Sequence, residues 1–557
     1  MYSSKQTILE TVALLKAHGI EHLIISPGSR NAPLIQCFIN DAFFHCYSVV
    51  DERSASYFAI GMIHQLGKPV AICCTSGTAI LNYGPAIAEA HYQHLPLIVV
   101  SADRSPAWID QLDGQTIPQS NIFTSFFHAS VTLPEIKDAE SHWHCNRLIN
   151  EALIASTQGG RGPVHLNIPI SEPLFDFAAS TLPAVRMIRQ SYAGQAHLNA
   201  SMLTRWSEAR NRLIVVGQLP VCQELNAILD ELTQQSTCVV LCEHLSNLSS
   251  HRFIRNFDVL LGASDDQKRS ELMPDLVITL GGQVVSKQLK KWLRSNTNLE
   301  HWHISPDNTV TDTYQSLREV IVGDPTAMFR QIHENGCSHA NPDYSITWEQ
   351  RSFAVPTPSD QLPFSDVSVT GCFLDHLPID ATLFVANSSP VRNFQLYKRP
   401  RVEKIVCNRG TNGIEGSIST AMGLSLLNEK LTFALMGDLS FFHDLSGLWM
   451  PYFSPNLRIF LINNGGGGIF HQLEGLTLSP QLEAYMAANH DRSAEKWVEA
   501  ANLTYLKATT IEELNQHLQV FTQPNLANGV VLEVMTTCEL NKEAMKRHQS
   551  AIKQAVV

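Results

Sequence analysis

Four short apolar runs, EHLIIS, HCYSVV, PVAICCTS and LPLIVVSA, follow one another between residues 21 and 102, with helix-length segments between them. Each run is continuous rather than alternating, the pattern of parallel strands covered on both faces by helices. An α/β domain is therefore predicted. The same rhythm returns in NRLIVVGQ, TCVVLCEH, PDLVITLGG, LEHWHIS and EVIVGD, and once more in ATLFVANSS, EKIVCNRG, LTFALMGDLS, LRIFLINN and GVVLEVMT. Between the second and third series the polar, proline-bearing stretch 339–364 reads as a linker. The expectation is three consecutive open α/β domains with mainly parallel sheets, over residues 1–180, 190–338 and 365–557. A chain of 557 residues exceeds what one core supports, so several domains are needed in any case.

Charge and cysteine usage exclude several functions. A formal net charge of -12 offers no basic footprint for a phosphate backbone, so nucleic acid is not an expected partner. The cysteines show no C-x-x-C spacing and read as reduced thiols of a cytoplasmic protein. SHWHC at 141–145 has no second ligand pair at zinc spacing, which leaves ordinary helix residues. The N-terminal helix candidate carries charges inside its apolar run, a poor signal peptide. No apolar run approaches the roughly 20 residues that span a bilayer, so no membrane is expected either.

In open α/β sheets ligands gather beyond the carboxyl ends of strands. The polar residues at those ends are SPGSR, VVDER, SADR, NSSPVR, CNRG, MGDLS and INNGGGG. Asp438 ends one strand and Asn464 the next, and a carboxylate, an amide oxygen and a glycine carbonyl such as that of Gly466 are hard donors suited to Mg²⁺. The plainer alternative is a glycine-rich turn with Asp438 as a helix cap. Glu52 follows a strand and opens a helix, where a carboxylate is favourable for capping alone.

Taken together, these motifs resemble the thiamine diphosphate-dependent decarboxylases and carboligases. In that superfamily a first-domain glutamate meets the aminopyrimidine ring, and a GD…NN motif holds the diphosphate through a divalent cation. The resemblance implies these roles for Glu52, and for Asp438, Asn464 and the Gly466 carbonyl with Mg²⁺ or Mn²⁺. A carboxylate at the pyrimidine nitrogen stabilises the imino tautomer that deprotonates the thiazolium carbon. Ile414, in NRGTNGIEGS, matches the apolar side chain that bends the two rings together. Here GDL replaces the more usual GDG.

Within the superfamily, SPGSRNAPL, DERSASYFAIGM, SADR, NRGTNGIEGS and NNGGGGIF are similar to the carboligase branch of menaquinone biosynthesis. That branch decarboxylates 2-oxoglutarate and adds the succinyl carbanion equivalent to isochorismate. Both substrates are dianions, and Arg30, Arg104, Arg392 and Arg409 stand at predicted strand ends where guanidinium forks could hold carboxylates. The resemblance adds Ser29 and Gln115 as polar substrate contacts. It makes Ile469 and Phe470 the apolar wall beside the reacting carbon, with Ile469 also against the cofactor. Ser388, Ser440 and Arg409 become cofactor-side contacts. Lys287 is the matching basic residue of the middle domain, although the adjacent Gln288 departs from the pattern. A homodimer or homotetramer is implied, because first and third domains of different subunits enclose the cofactor in this superfamily. The competing expectations are another 2-oxoacid decarboxylase or carboligase, and a catalytically silent binding subunit.

Overall fold

The computed structural model describes residues 1–190, 198–296, 298–307, 309–335, 340–472, 475–476 and 479–556. It contains three sheets. The first is built from β1 (His22–Ile25), β2 (His45–Ser48), β3 (Val70–Cys74), β4 (Leu97–Asp103), β5 (Ala129–Thr132) and β6 (Val164–Pro169). The second uses β7 (Arg212–Val216), β8 (Val239–Cys242), β9 (Leu276–Leu280), β10 (Glu300–Ser305) and β11 (Leu317–Val322). The third uses β12 (Thr382–Val385), β13 (Lys404–Val406), β14 (Thr432–Gly437), β15 (Leu457–Asn463), β16 (Thr504–Ala508) and β17 (Val530–Met535). Every described strand pairing is parallel, and helices lie between the strands, so the chain is an α/β protein. All the predicted runs form strands. β5, β6 and β16 join them without having been singled out.

The strand orders are informative. The first sheet runs β2-β1-β3-β4-β6-β5 and the third β13-β12-β14-β15-β17-β16, the same order repeated. Each reverses direction at its first strand, beside β1 and β3 or beside β12 and β14. That reversal opens a crevice at the carboxyl ends of the two strands. The second sheet, β11-β10-β9-β7-β8, differs. Its inner strands are buried on both sides: along β7, Ile214 and Val216 enter one apolar cluster while Leu213 and Val215 enter another. Such two-sided burial is why the runs are continuous.

Contacts divide the chain into two compact units, one of residues 1–192, 410–429 and 440–457, the other of 193–409, 430–439 and 458–557. The segment read as a linker contains the helix Pro342–Ala354. Every described cysteine is a free thiol. His142 lies in the helix Ala139–Thr157 and meets Glu10 at 3.0 Å. No described helix is long and apolar enough to cross a membrane.

Candidate active site

In the first unit Glu52 opens the helix Glu52–Leu66, capped by Asp51, whose side chain accepts from the Ser54 N–H. Glu52 is half-buried. Burial pushes its carboxyl above the ordinary carboxylate range; its own backbone N–H works against this and the charge of Asp51 with it. Asp51 performs the capping, so Glu52 is free of that duty and has no ion-pair partner among the described residues.

This helix crosses the helix Ser417–Leu426 at very short range. A Cβ added to Gly61 would stand 2.1 Å from the Thr420 carbonyl oxygen, and one on Gly423 2.0 Å from that of Phe58. Only glycines allow that approach. At Gly416, with φ of +69°, the Tyr57 ring leaves no space for a side chain, and the Tyr57 hydroxyl donates to Glu415 at 3.2 Å. The loop before it is clasped by buried Glu89, whose carboxylate accepts from the Gly410 and Thr411 N–H groups and the Thr411 hydroxyl, each at 2.7 Å. Asp444, also buried, accepts from the Ser419 N–H at 2.7 Å and the Ser419 hydroxyl at 3.1 Å. Burial pushes the Asp444 carboxyl up to about 6. Glu52 and Ile414 are thus carried on one glycine-bonded framework, Ile414 partly exposed at the end of a braced loop. Ser440 is buried in the helix Asp438–His443. Glu89 is the one acid in the apolar run GPAIAEA, and nothing in the sequence tells which loop it clasps.

At the crevice of the first sheet the loops after β1, β3, β4 and β6 meet. Arg30 donates to the Ile170 carbonyl at 2.9 Å and stands 3.0 Å from Glu172. Arg104 stands 4.0 Å from the same Glu172 oxygen, and it meets Asp113 at 3.4 Å and the Gly114 carbonyl at 3.1 Å. Burial, and then Arg104, draw the Arg30 guanidinium below its usual range, while Glu172 works the other way. Gln115, with φ of +59°, is pinned by exchanging hydrogen bonds with the Ser76 backbone carbonyl and hydroxyl. Arg30, Arg104 and Gln115 are therefore assembled at one sheet end, with exposed Ser29 on the loop beside them. Glu172 joins them without any sequence motif to announce it.

The second unit holds the oxygen-rich cluster. β14 ends at Gly437 and Asp438 follows it. The Asp438 carboxylate accepts from the Leu439 N–H at 2.6 Å and from those of Gly465 and Gly466 at 2.9 Å each. His490 Nε2 lies 3.4 Å from it. Gly465 and Gly466 have φ of +81° and +150°, and a Cβ on Gly466 would meet the Asn489 side chain at 2.7 Å and the Ala487 carbonyl at 2.8 Å. The first two glycines of the run 465–468 therefore turn their amides to the carboxylate, while those of Gly467 and Gly468 donate to the Ala487 and Gly466 carbonyls. The Asn464 amide nitrogen donates to Asp366 at 2.7 Å. Its oxygen is buried with no hydrogen-bond partner among the described residues. A carboxylate and an orphaned amide oxygen fit a hard divalent cation, which takes few protein oxygens and fills its remaining positions with phosphate oxygens and water. No group of three His, Cys, Asp or Glu suited to a metal occurs among the described residues, so an Asp/Asn pair is the donor set on offer. Ile469 and Phe470 follow in the turn Gly468–Gln472, both partly exposed.

In the same unit Arg409 is buried and donates to the Asn387 side chain at 3.0 Å. Arg392 donates to the Ser388 carbonyl at 2.7 Å. Burial, then the charge of Arg409, lower the Arg392 guanidinium from its usual range. Ser388 has φ of +72°, left-handed backbone in a residue that is not glycine, a strain that marks functional loops. Lys287 is exposed at the start of the helix Lys287–Arg294. Lys290, one turn further, donates to the Val284 carbonyl at 2.7 Å and feels both Arg409 and Lys287. Lys290 rather than Lys287 is thus the half-buried cation of this helix.

Known proteins resemble this chain over nearly its whole length. The N-terminal TPP-binding domain of thiamine pyrophosphate enzymes matches residues 10–124, and the middle domain of such enzymes matches 175–385. Proteins named 2-succinyl-5-enolpyruvyl-6-hydroxy-3-cyclohexene-1-carboxylate synthase are similar over nearly the entire chain. The one from Bacteroides fragilis is 43% identical, covering 99% of this chain and 100% of its own. That of Flavobacterium johnsoniae is 36% identical, with 98% of each chain covered. That of Porphyromonas gingivalis is 34% identical, over 98% of this chain and 97% of its own. Full-length similarity at these levels, on a fold whose strand ends carry Glu52, Asp438 and Asn464, means that the chain belongs to the 2-succinyl-5-enolpyruvyl-6-hydroxy-3-cyclohexene-1-carboxylate synthase family of thiamine diphosphate enzymes.

Proposed function

We propose that this protein performs the reaction for which its relatives are named, decarboxylating 2-oxoglutarate and adding the succinyl unit to isochorismate, as a cytoplasmic homodimer or homotetramer. The observation that carries this reading is the pair Arg30 and Arg104, two guanidiniums turned toward one carboxylate oxygen of Glu172 at the end of the first sheet. Paired guanidinium forks recognise carboxylates, and both substrates carry two. Arg392 and Arg409, with Lys290 nearby, offer a second cationic cluster for the other dianion.

Thiamine diphosphate, when bound, supplies the electron sink for the charge left by loss of CO2. The protein's own groups hold and orient. Asp438, Asn464 and the Gly466 carbonyl would hold Mg²⁺ or Mn²⁺ and through it the diphosphate, with Ser388, Arg409, Ser440 and Ile469 on the cofactor side. Glu52 would hold a proton at its raised carboxyl, shared with the pyrimidine ring nitrogen. Ile414 would press on the rings from its braced loop. Ser29, Gln115 and Lys287 would contact substrate, and Ile469 with Phe470 would keep water from the reacting carbon.

The test is incubation with thiamine diphosphate, Mg²⁺, 2-oxoglutarate and isochorismate. A succinylated cyclohexene product with release of one CO2 is expected. Turnover of pyruvate without that product would instead favour another 2-oxoacid decarboxylase or carboligase, and cofactor binding without any turnover a silent subunit.

A further inference from the structure

We infer that Asp366 is a positioning residue that decides which end of the Asn464 amide faces Asp438, and so makes Asn464 a metal ligand. This rests on the reading of Asp438 and Asn464 as the cation site.

Asp366 begins the helix Asp366–Asp375, just past the stretch read as a linker, and carries no motif. It is nonetheless buried at 5% exposure. Its carboxylate bridges the carboxyl ends of the neighbouring strands β15 and β17. One oxygen accepts from the Asn464 amide nitrogen at 2.7 Å, the other from the Thr536 hydroxyl at 2.5 Å. The two strands are themselves joined there by the Thr536 N–H to the Asn463 carbonyl, at 3.0 Å. Above it, the Asp366 N–H donates to the Asn541 side chain at 2.7 Å. No ion pair with Asp366 occurs among the described residues.

A buried carboxylate without a cation is costly, and capping does not explain it, since Ser365 and Ser368 already form the capping box of this helix. What it does is select. An amide has a donor end and an acceptor end, whereas a carboxylate only accepts. Asp366 can therefore hold only the nitrogen of Asn464, which turns Asn464 Oδ1 to the opposite side, where it is buried and unpartnered among the described residues. Asn464 directly precedes Gly465, whose N–H donates to the Asp438 carboxylate at 2.9 Å, so the two proposed ligands stand side by side. With the amide reversed, an N–H₂ group would face the cation and the site would lose a ligand. Such outer partners of metal ligands commonly change affinity by roughly 10–100-fold.

The test is the affinity of the full-length protein for Mn²⁺ in the presence of thiamine diphosphate, read from the paramagnetic resonance signal of the free ion, with circular dichroism to check folding. Asp366→Ala is expected to weaken Mn²⁺ binding about tenfold or more. Asp366→Asn can still accept from Asn464 while donating to the Thr536 hydroxyl, and is expected within about threefold of the unaltered protein, allowing for a small electrostatic loss. Unchanged binding by the alanine variant overturns the inference, and so does an asparagine variant as weak as alanine, which would make the role one of charge. Should Asp366→Ala fold poorly, Asn464→Asp serves instead. Alone it sets two carboxylates together and is expected to bind Mn²⁺ more weakly than when paired with Asp366→Asn; equal affinity of the two overturns the inference. Failure of the unaltered protein to bind Mn²⁺ at all would remove the cation site itself, and is distinguished by occurring before any substitution.

Discussion

Gly61 and Gly423 face each other at the crossing of two helices that carry Glu52 and follow Ile414, and each would drive a methyl group to about 2 Å from the other helix's backbone. Backbone cannot yield as a flexible side chain does. Gly61→Ala or Gly423→Ala is therefore expected to cost about 1–3 kcal/mol or more by overpacking, read as a lower midpoint of thermal unfolding. The loss should exceed that of an alanine at Gly67, the open C-cap of the same helix, where nothing lies within 4 Å and only the left-handed φ opposes a side chain.

Glu52→Gln keeps shape and hydrogen bonding but cannot carry the charge. Thiamine diphosphate affinity is expected to change little, while turnover falls by about 10²–10⁴, the usual span for loss of a proton-transfer group. Isothermal titration with the cofactor and Mg²⁺, alongside the rate of CO2 release, separates the two. Full activity in this variant would remove Glu52 from the mechanism.

Glu172 pairs with both Arg30 and Arg104, the guanidiniums proposed above to hold a substrate carboxylate. It is 66% exposed against 6% for the Arg30 side chain, so the ion pair is screened and worth at most about 1 kcal/mol. Glu172→Gln is accordingly expected to lower KM for one of the two dianions by up to about fivefold with kcat little altered. A raised KM would show instead that Glu172 braces the arginines.

Removal of divalent cations by chelation and dialysis is expected to release thiamine diphosphate, and Mg²⁺ or Mn²⁺ to restore its binding. Asp438→Ala should bind the cofactor poorly at any cation concentration tried. Cofactor retained in chelator, followed by its fluorescence or absorbance, would contradict the cation site.

Stability should depend on pH through buried titratable groups. Burial pushes His165 and His244 down to about 3 and His301 to about 4 from an ordinary 6.5. Each is neutral in the folded chain and protonates once unfolded, so its contribution is complete above about 6.5 and is lost as pH falls through about 4 for His301 and about 3 for the other two, with a slope of up to about 1.4 kcal/mol per pH unit per group. Asp444 and Glu243 act in the opposite sense. Burial raises them to about 6 and about 7, so what they contribute below pH 4 is lost as pH rises through those values. In cofactor-free protein, His165→Gln should flatten the acid side of the unfolding midpoint against pH, and Asp444→Asn the decline between 4 and 6. Unchanged slopes would mean that these groups titrate normally.

The sequence determined the strands that are buried on both faces, because such strands must be continuous apolar runs, and it marked the strand ends where polar residues have no structural reason to cluster. β5, β6 and β16 escaped it for the same reason reversed. β5 and β16 are edge strands with polar exposed positions, and the run of β6 is interrupted by His165 and Asn167, whose burial is met by hydrogen bonds to Ser101, at 2.7 and 2.9 Å, and to Ser130, Asp103 and Gln119. Glu52, Asp438 and Asn464 were legible as residue types at strand ends. Asp366, Glu89 and Glu172 were not, since each acts through a partner far away in the chain, Asn464, Gly410 and Arg30 respectively. A carboxylate becomes a clasp or an orienter only through the donors that folding brings to it, and that choice of donors is made by tertiary structure alone.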